Sequence, residues 1–166
     1  MDVRPAPPSC LALIHEFEQG PGGGFAPIHY LDPAGVPTIG WGHRIKPEEQ
    51  ALMFTCIGQD KADALADSDL AEAAGAVCRQ FAGDVVAGLS EGQYAALVDL
   101  VFNIGEGQFS GSTVHLLVSS GRLERVPAEI ERWVYAKGRF LPGLQKRRLA
   151  EVALWSLDKS SGGPVA

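Results

Sequence analysis

The sequence predicts an α+β chain that is mainly α, and three observations predict it. One short β-prone stretch lies near the N-terminus; most of the chain beyond it carries apolar residues at helical spacing; and glycine, proline and serine punctuate those helical runs. A length of 166 residues suits one domain with a real core, divisible into lobes.

After a proline-rich lead, Ser9 is placed to cap a first helix running to about Gln19. Cys10, Leu13, Ile14 and Phe17 follow the i, i+3, i+4, i+7 spacing, so one stripe faces a core. At about 100° per residue, Glu18 falls roughly 80° from the middle of that stripe and Glu16 about 120° away on the other side. Glu18 is therefore the carboxylate nearer the buried rim. Gly20 to Gly24 then closes the helix. A phosphate-cradling glycine loop would open a helix after a strand, and this run ends one.

Tyr30-Leu31 and Val36 to Trp41 flank Asp32-Pro33-Ala34-Gly35, turn chemistry between two hydrophobic runs, and predict a hairpin. Alternation along the returning strand puts Thr38, Gly40 and Gly42 on one face and Pro37, Ile39 and Trp41 on the other. A carboxylate at the turn and a hydroxyl on the strand then face one space. Two glycines on the Thr38 face mark a bulge or a close approach by another group. Asp32 read alone would be a residue that only tightens its turn.

Beyond His43, Pro47-Glu48-Glu49 is a helix start and Gly58 a break. The alanine-rich Asp60 to Ala87 reads as one helix, a connector between a hairpin lobe and a helical lobe. Ser90-Glu91-Gly92-Gln93 is a capping-box pattern leading into Tyr94 to Ile104, apolar nearly all round and so the central helix. Gly105-Glu106-Gly107 stops it, Ser112 or Thr113 starts a short helix to Ser120, Pro127 opens one through Trp133 to about Ala136, and Pro142 opens the last. Residues 158–166 read as a loose tail.

A net charge of −6, from 14 basic and 20 acidic side chains, argues against nucleic acid as the main partner. The three cysteines, Cys10, Cys56 and Cys78, have no C-x-x-C spacing and read as reduced, mostly buried thiols. No metal is expected, because His15, His29, His43 and His115 show no ligand spacing with one another or with the cysteines. Gly107 to Gly111 has the wrong form for a nucleophile elbow, and no strand precedes it. The N-terminus lacks an apolar signal core, and no run is long enough to span a bilayer.

The string from Tyr30 to His43, Y-L-D-P-A-G-V-P-T-I-G-W-G-H, resembles the Y-x-D-x-x-G-x-x-T-I-G-x-G-H signature of the phage-type lysozymes, muramidase endolysins that cut cell-wall glycan. A-L-V-D-L-V-F-N-I-G, then F-S-G-S-T, R-W and G-L-Q-K-R-R-L-A-E-V-A-L-W resemble the helical part of the same family in the same order. With L-I-H-E-F-E ahead of the hairpin, the likeness runs over roughly residues 11 to 157. One departure stands out: Gln19 follows the acid where the family has glycine. The resemblance implies a small β-containing lobe of about residues 20–60. A connecting helix would join it to a larger all-helical lobe, about residues 1–19 and 61–157, with a cleft between them.

Cleavage of a glycosidic bond needs a protonated acid at the leaving oxygen and a group serving the opposite face of the anomeric carbon. Glu18, on the rim of a buried stripe, fits the drier role, and Asp32, in a polar turn, the wetter one. The resemblance makes Glu18 the general acid and Asp32 with Thr38 the pair that orients and activates water; Glu16 is the alternative acid. An inverting enzyme would hold its carboxyl groups about 6.5 to 9.5 Å apart. By the same resemblance Phe102 and Thr113 lie near substrate and His43 is structural; Asn103, ending the central helix beside Phe102, is a further substrate-binding candidate, and Arg147, a structural candidate, or Arg148 either pairs with Glu18 or is a solvated charge on an amphipathic helix. The implied activity is hydrolysis, without cofactor, of the β-1,4 bond between N-acetylmuramic acid and N-acetylglucosamine in peptidoglycan. The expected enzyme is a monomer with no stable membrane insertion. It is made in the cytoplasm without a signal peptide and acts on the wall in the periplasm once a holin has opened the membrane. The competing reading is a lysozyme-fold protein that binds glycan, or builds a phage tail, without cutting.

Overall fold

The computed structural model describes residues 3–157; the tail expected over 158–166 lies outside them. The elements are α1 (Pro8–Phe17), β1 (Ala26–Leu31), β2 (Pro37–Gly40), β3 (His43–Arg44), a 3-10 helix (Pro47–Phe54), α2 (Gln59–Gln80), α3 (Gly83–Gly88) and α4 (Glu91–Ile104). Then come α5 (Glu106–Ser110), α6 (Thr113–Ser119), a 3-10 turn (Leu123–Arg125), α7 (Val126–Ile130), β4 (Tyr135–Ala136), β5 (Arg139–Phe140) and α8 (Pro142–Ser156). The chain is α+β and mainly α, as the sequence predicts.

Contacts group the chain into two units, Leu11–Leu70 and a second made of residues up to Cys10 with those from Ala71 on. Most of α1 and the first part of α2 thus belong with the sheet, rather than with the helices as expected.

In the first unit the hairpin proves to be three strands, in the order β1-β2-β3, all antiparallel. Tyr30 pairs with Thr38, and Thr38 with Arg44 on its other side, so the three residues form one row across the sheet. The expected alternation beyond Thr38 fails. Gly40 and Gly42 both have positive φ, 64° and 82°, and turn the chain back through Trp41 into β3 instead of extending β2. Both glycines are there for close approach. A Cβ on Gly40 would sit 3.4 Å from the Ala62 backbone, and one on Gly42 3.0 Å from a Glu18 carboxylate oxygen. Ile14, Ile39, Trp41, Ala62, Leu65 and Ala66 form the core of this unit.

The second unit is built on α4. Ser90 accepts from the Gln93 amide while the Gln93 side chain returns to the Ser90 N–H, the reciprocal cap expected from the sequence. Tyr94 to Val101 are buried without interruption, and α4 packs along α8. The proline-rich lead is anchored here. Arg4 lies over the Tyr94 ring, 4.4 Å from its centroid, and donates to the carbonyls of Val86 and Leu89, while the Tyr94 hydroxyl donates to the Arg4 carbonyl.

Four helix boundaries depart from the sequence expectation. The first helix ends at Phe17. The alanine-rich run breaks at Phe81-Ala82, where Ala82 is extended (ψ 150°) and Phe81 turns inward against Phe109 and His115. The extra helix α5 begins after the stop at Gly105, whose positive φ both ends α4 and starts it. The helix opened by Pro127 lasts only to Ile130, because Lys137 (φ 50°) and Gly138 (φ 74°) form a two-residue turn that folds Tyr135–Phe140 into a ribbon. Cys10 is buried and Cys78 half-buried, but Cys56 is exposed.

Candidate active site

Glu18 sits one residue past the end of α1, still tied to the helix by its amide, which donates to the Ile14 carbonyl at 2.8 Å. That bond fixes the angle of Glu18 to the buried stripe and leaves its side chain half-buried, whereas Glu16 is exposed. Its carboxylate reaches over the bare α-carbon of Gly42.

Asp32 is held from several sides. Its Oδ1 accepts from the amides of Ala34 (2.8 Å) and Val36 (2.9 Å), and its Oδ2 lies 3.3 Å from the Arg44 guanidinium. The turn is closed by the Gly35 amide donating to the Asp32 carbonyl at 2.8 Å, with Gly35 at φ 80°. Asp32 therefore does tighten its turn, but with one oxygen; the other is directed to a cation. The Val36 amide, then the Ala34 amide and Arg44, hold this carboxyl below the usual carboxylate range against the opposing effect of desolvation, so it is ionised wherever the fold is intact near neutrality.

Thr38 is 2% exposed, and its Oγ1 donates to the Val36 carbonyl at 3.0 Å. With its proton committed there, the lone pairs of the hydroxyl are what it can offer to a water. Tyr30, opposite Thr38 in the register and two residues before Asp32, connects the group. Its phenol is pushed up by burial and then by the charges of Glu18 and Asp32, so both carboxylates bear on one hydroxyl. Glu18, Asp32 and Thr38, the three residues expected to act, thus all lie in the sheet unit around Tyr30.

His43 is buried between two acids, with Nδ1 2.8 Å from Asp69 and Nε2 2.9 Å from Glu49. Both ring nitrogens face carboxylate oxygens, an arrangement that favours the doubly protonated ring. The Asp69 hydrogen bond, more than the Glu49 one, raises its pKa against burial. Glu49 also accepts from the Lys46 amide, so one carboxylate caps the 3-10 helix and holds the histidine.

The remaining expected residues lie in the helical unit. Phe102 is half-buried with the Arg147 guanidinium 5.6 Å from its ring centre, and Asn103 accepts from Arg148 at 2.9 Å. Thr113, the first residue of α6 after its Ser112 cap, lines an open groove of about 440 Å³ with Gln108, Arg132, Trp133 and Tyr135. Arg147 donates two hydrogen bonds to Asp99, at 2.8 and 2.9 Å, and Arg148 lies 2.8 Å from Glu151. Among the described residues no three of His, Cys, Asp or Glu gather as a metal-binding group.

Arg44, Asp69 and Glu49 escape a reading of the sequence for site residues. Arg44 becomes visible only once β3 is known to pair with Thr38; Asp69 and Glu49 come from elements whose docking no local pattern encodes.

A three-stranded sheet carrying an acid turn, together with a unit of short helices around one buried helix, defines a lysozyme-type fold. A model of the phage lysozyme family matches residues 22–151, which include Asp32 and Thr38 and begin just after Glu18, and the chain belongs to that family. It is 32% identical over 152 residues to a SAR-endolysin of Enterobacteria phage P21, covering 87% of this chain and 88% of that one. It is 34% identical over 149 residues to an endolysin of Acyrthosiphon pisum secondary endosymbiont phage 1, covering 87% and 93%. Among solved structures it resembles the muramidase domain of SpmX from Asticaccaulis excentricus, with a TM-score of 0.74 at 28% identity over 92% of this chain and 98% of that one.

Proposed function

We propose that this protein is an endolysin muramidase: a glycoside hydrolase that cleaves the β-1,4 bond between N-acetylmuramic acid and N-acetylglucosamine in peptidoglycan, with inversion and without a cofactor. The observation that carries the reading is the gathering of Glu18, Asp32 and Thr38 around Tyr30 in one unit. Glu18, half in and half out of the core, is the general acid that protonates the leaving oxygen. Asp32, fixed through Oδ1 and ionised, is the general base: it accepts a hydrogen bond from the attacking water, takes that proton as the new bond to the anomeric carbon forms, and stabilises the positive charge developing there. Thr38, its proton engaged by Val36, accepts the water's other hydrogen. The water's lone pair is thereby aimed at the sugar. Phe102, Asn103 and Thr113 contact the glycan, and His43 fastens β3 to α2 and the 3-10 helix without touching it.

In the cell the enzyme is a monomer, made in the cytoplasm and delivered to the periplasmic wall once a holin has opened the membrane. Its family relatives named as endolysins support a part in phage lysis. The test is digestion of purified peptidoglycan with analysis of the fragments by mass and by the anomer first released. New muramic acid reducing ends of inverted configuration are expected from the parent and none from Glu18→Gln or Asp32→Asn. Absence of such ends from the folded parent would leave the chain a glycan-binding protein. Loss of activity in Glu16→Gln with retention in Glu18→Gln would move the acid to Glu16.

A further inference from the structure

The charge of the chain is unevenly placed. Residues 132–146 hold Arg132, Lys137, Arg139 and Lys146 and no acid, a local +4 in a protein of net charge −6. All four cations are exposed, and Arg132 among them donates to the Glu129 carboxylate at 2.9 Å. This stretch includes the ribbon of β4 and β5, which has no further strand partner among the described residues. Tyr135 and Phe140 are paired in the register, so their side chains share one face, with ring centroids 6.0 Å apart. They are 63% and 46% exposed, and the adjoining Leu141 is 40% exposed. Lys137 stands at the tip in the turn, and Arg139 on the opposite face from the rings.

Large apolar side chains scattered singly over a surface mean little. Three within seven residues, on a tip that lies in an acid-free basic stretch, form an amphipathic element. Its rings suit the boundary between headgroups and acyl chains, and its cations suit lipid phosphates. We infer that the β4–β5 ribbon is a peripheral docking surface for an anionic phospholipid bilayer. The ribbon tip enters the headgroup layer, Tyr135, Phe140 and Leu141 rest at its apolar boundary, and Lys137, Arg139 and Lys146 face the phosphates. The complementarity is local, and acids elsewhere on the chain that lie more than about a Debye length from the contact, roughly 10 Å at 0.1 M salt, are largely screened from it. Among the described residues no helix is long and apolar enough to cross a membrane, and the contact described here is superficial.

The test is co-sedimentation of the full chain with vesicles of phosphatidylcholine alone or mixed with phosphatidylglycerol, at low and high salt. Retention is expected on the mixed vesicles at low salt, with release at high salt. Lys137→Glu with Arg139→Glu should lower the partition coefficient at least roughly 25-fold, at about fivefold for each cation lost. The neutral pair Lys137→Gln with Arg139→Gln should show a smaller loss in the same direction, and circular dichroism should match the parent for both. Tyr135→Ser with Phe140→Ser should weaken retention with little change in its salt dependence. Equal binding to neutral vesicles, or undiminished binding by the charge-reversed chain, would overturn the inference. Capture by purified wall polymer that the reversal abolishes, without vesicle binding by the parent, would assign the ribbon to the wall instead.

Discussion

The two units each contain a pair of acids, and the pairs are kept in opposite conditions. In the helical unit Asp99 and Glu151 are fully buried among Arg147 and Arg148. Burial alone would raise the Asp99 carboxyl, and the Arg147 guanidinium overcomes it and holds the group below the usual range. Burial and then the Asp99 charge push the Glu151 carboxyl well above its usual range, against the opposing pull of Arg148 at 2.8 Å. In the sheet unit Glu18 and Asp32 keep water within reach, and Asp32 is set by amides more than by a cation. The dry pair can only hold helices together, since nothing reaches it. The wet pair is fixed in place but open on one side, which is what a reacting group requires.

That contrast can be broken from either side. Glu18→Gln should lower turnover of peptidoglycan by about 10²- to 10⁴-fold, with the urea unfolding midpoint unchanged; a large stability loss would mean that Glu18 belongs with the structural acids. Arg147→Ala should do the reverse and destabilise the chain by about 3–5 kcal/mol in urea titration, because it leaves Asp99 charged and buried without its partner. Gly42→Ala touches both properties at once. A side chain at φ 82° costs about 1–2 kcal/mol, and its Cβ at 3.0 Å from Glu18 must displace that carboxylate. Activity should therefore fall by more than stability alone explains, read as lost kcat at saturating substrate in folded protein. The smallest effect is the pH response of His43. Its folded pKa lies above the unfolded value of about 6.5, so the stability it contributes is complete below that pH and is lost as pH rises through the folded pKa. Melting temperatures should decline from pH 6 to pH 8.5 in the parent, and the decline should flatten in Asp69→Asn.

Much of this architecture is legible in local chemistry. Asp-Pro-x-Gly announces its own turn, Ser90 and Gln93 announce a cap three residues apart, and Pro142 announces a helix start, because each signal acts within a few residues. Glu18 can be placed near the core rim because a helix wheel needs only residues 10 to 18. What escapes depends on partners distant in the chain. Gly42 reads as a site of close approach, but only the fold shows that Glu18 is the group approaching. The ribbon at Tyr135 hides behind a helical spacing that continues through Trp133, while the decisive Lys137-Gly138 turn offers a weaker signal than Asn-Gly. Arg4 lies in a lead whose pattern announces no role, and its site is built by Val86, Leu89 and Tyr94, more than eighty residues later.

The unequal burial of the thiols makes the unaltered chain a ready subject for single-site chemistry. Burial pushes Cys10 up to about 12, so it holds its proton and stays inert to alkylating reagents at neutral pH, and Cys78 is half covered beside the Tyr94 hydroxyl. Cys56 alone lies open, just beyond the 3-10 helix of the sheet unit. A maleimide dye should therefore mark that position first, giving a reporter on the unit that holds Glu18 and Asp32 without any engineered residue.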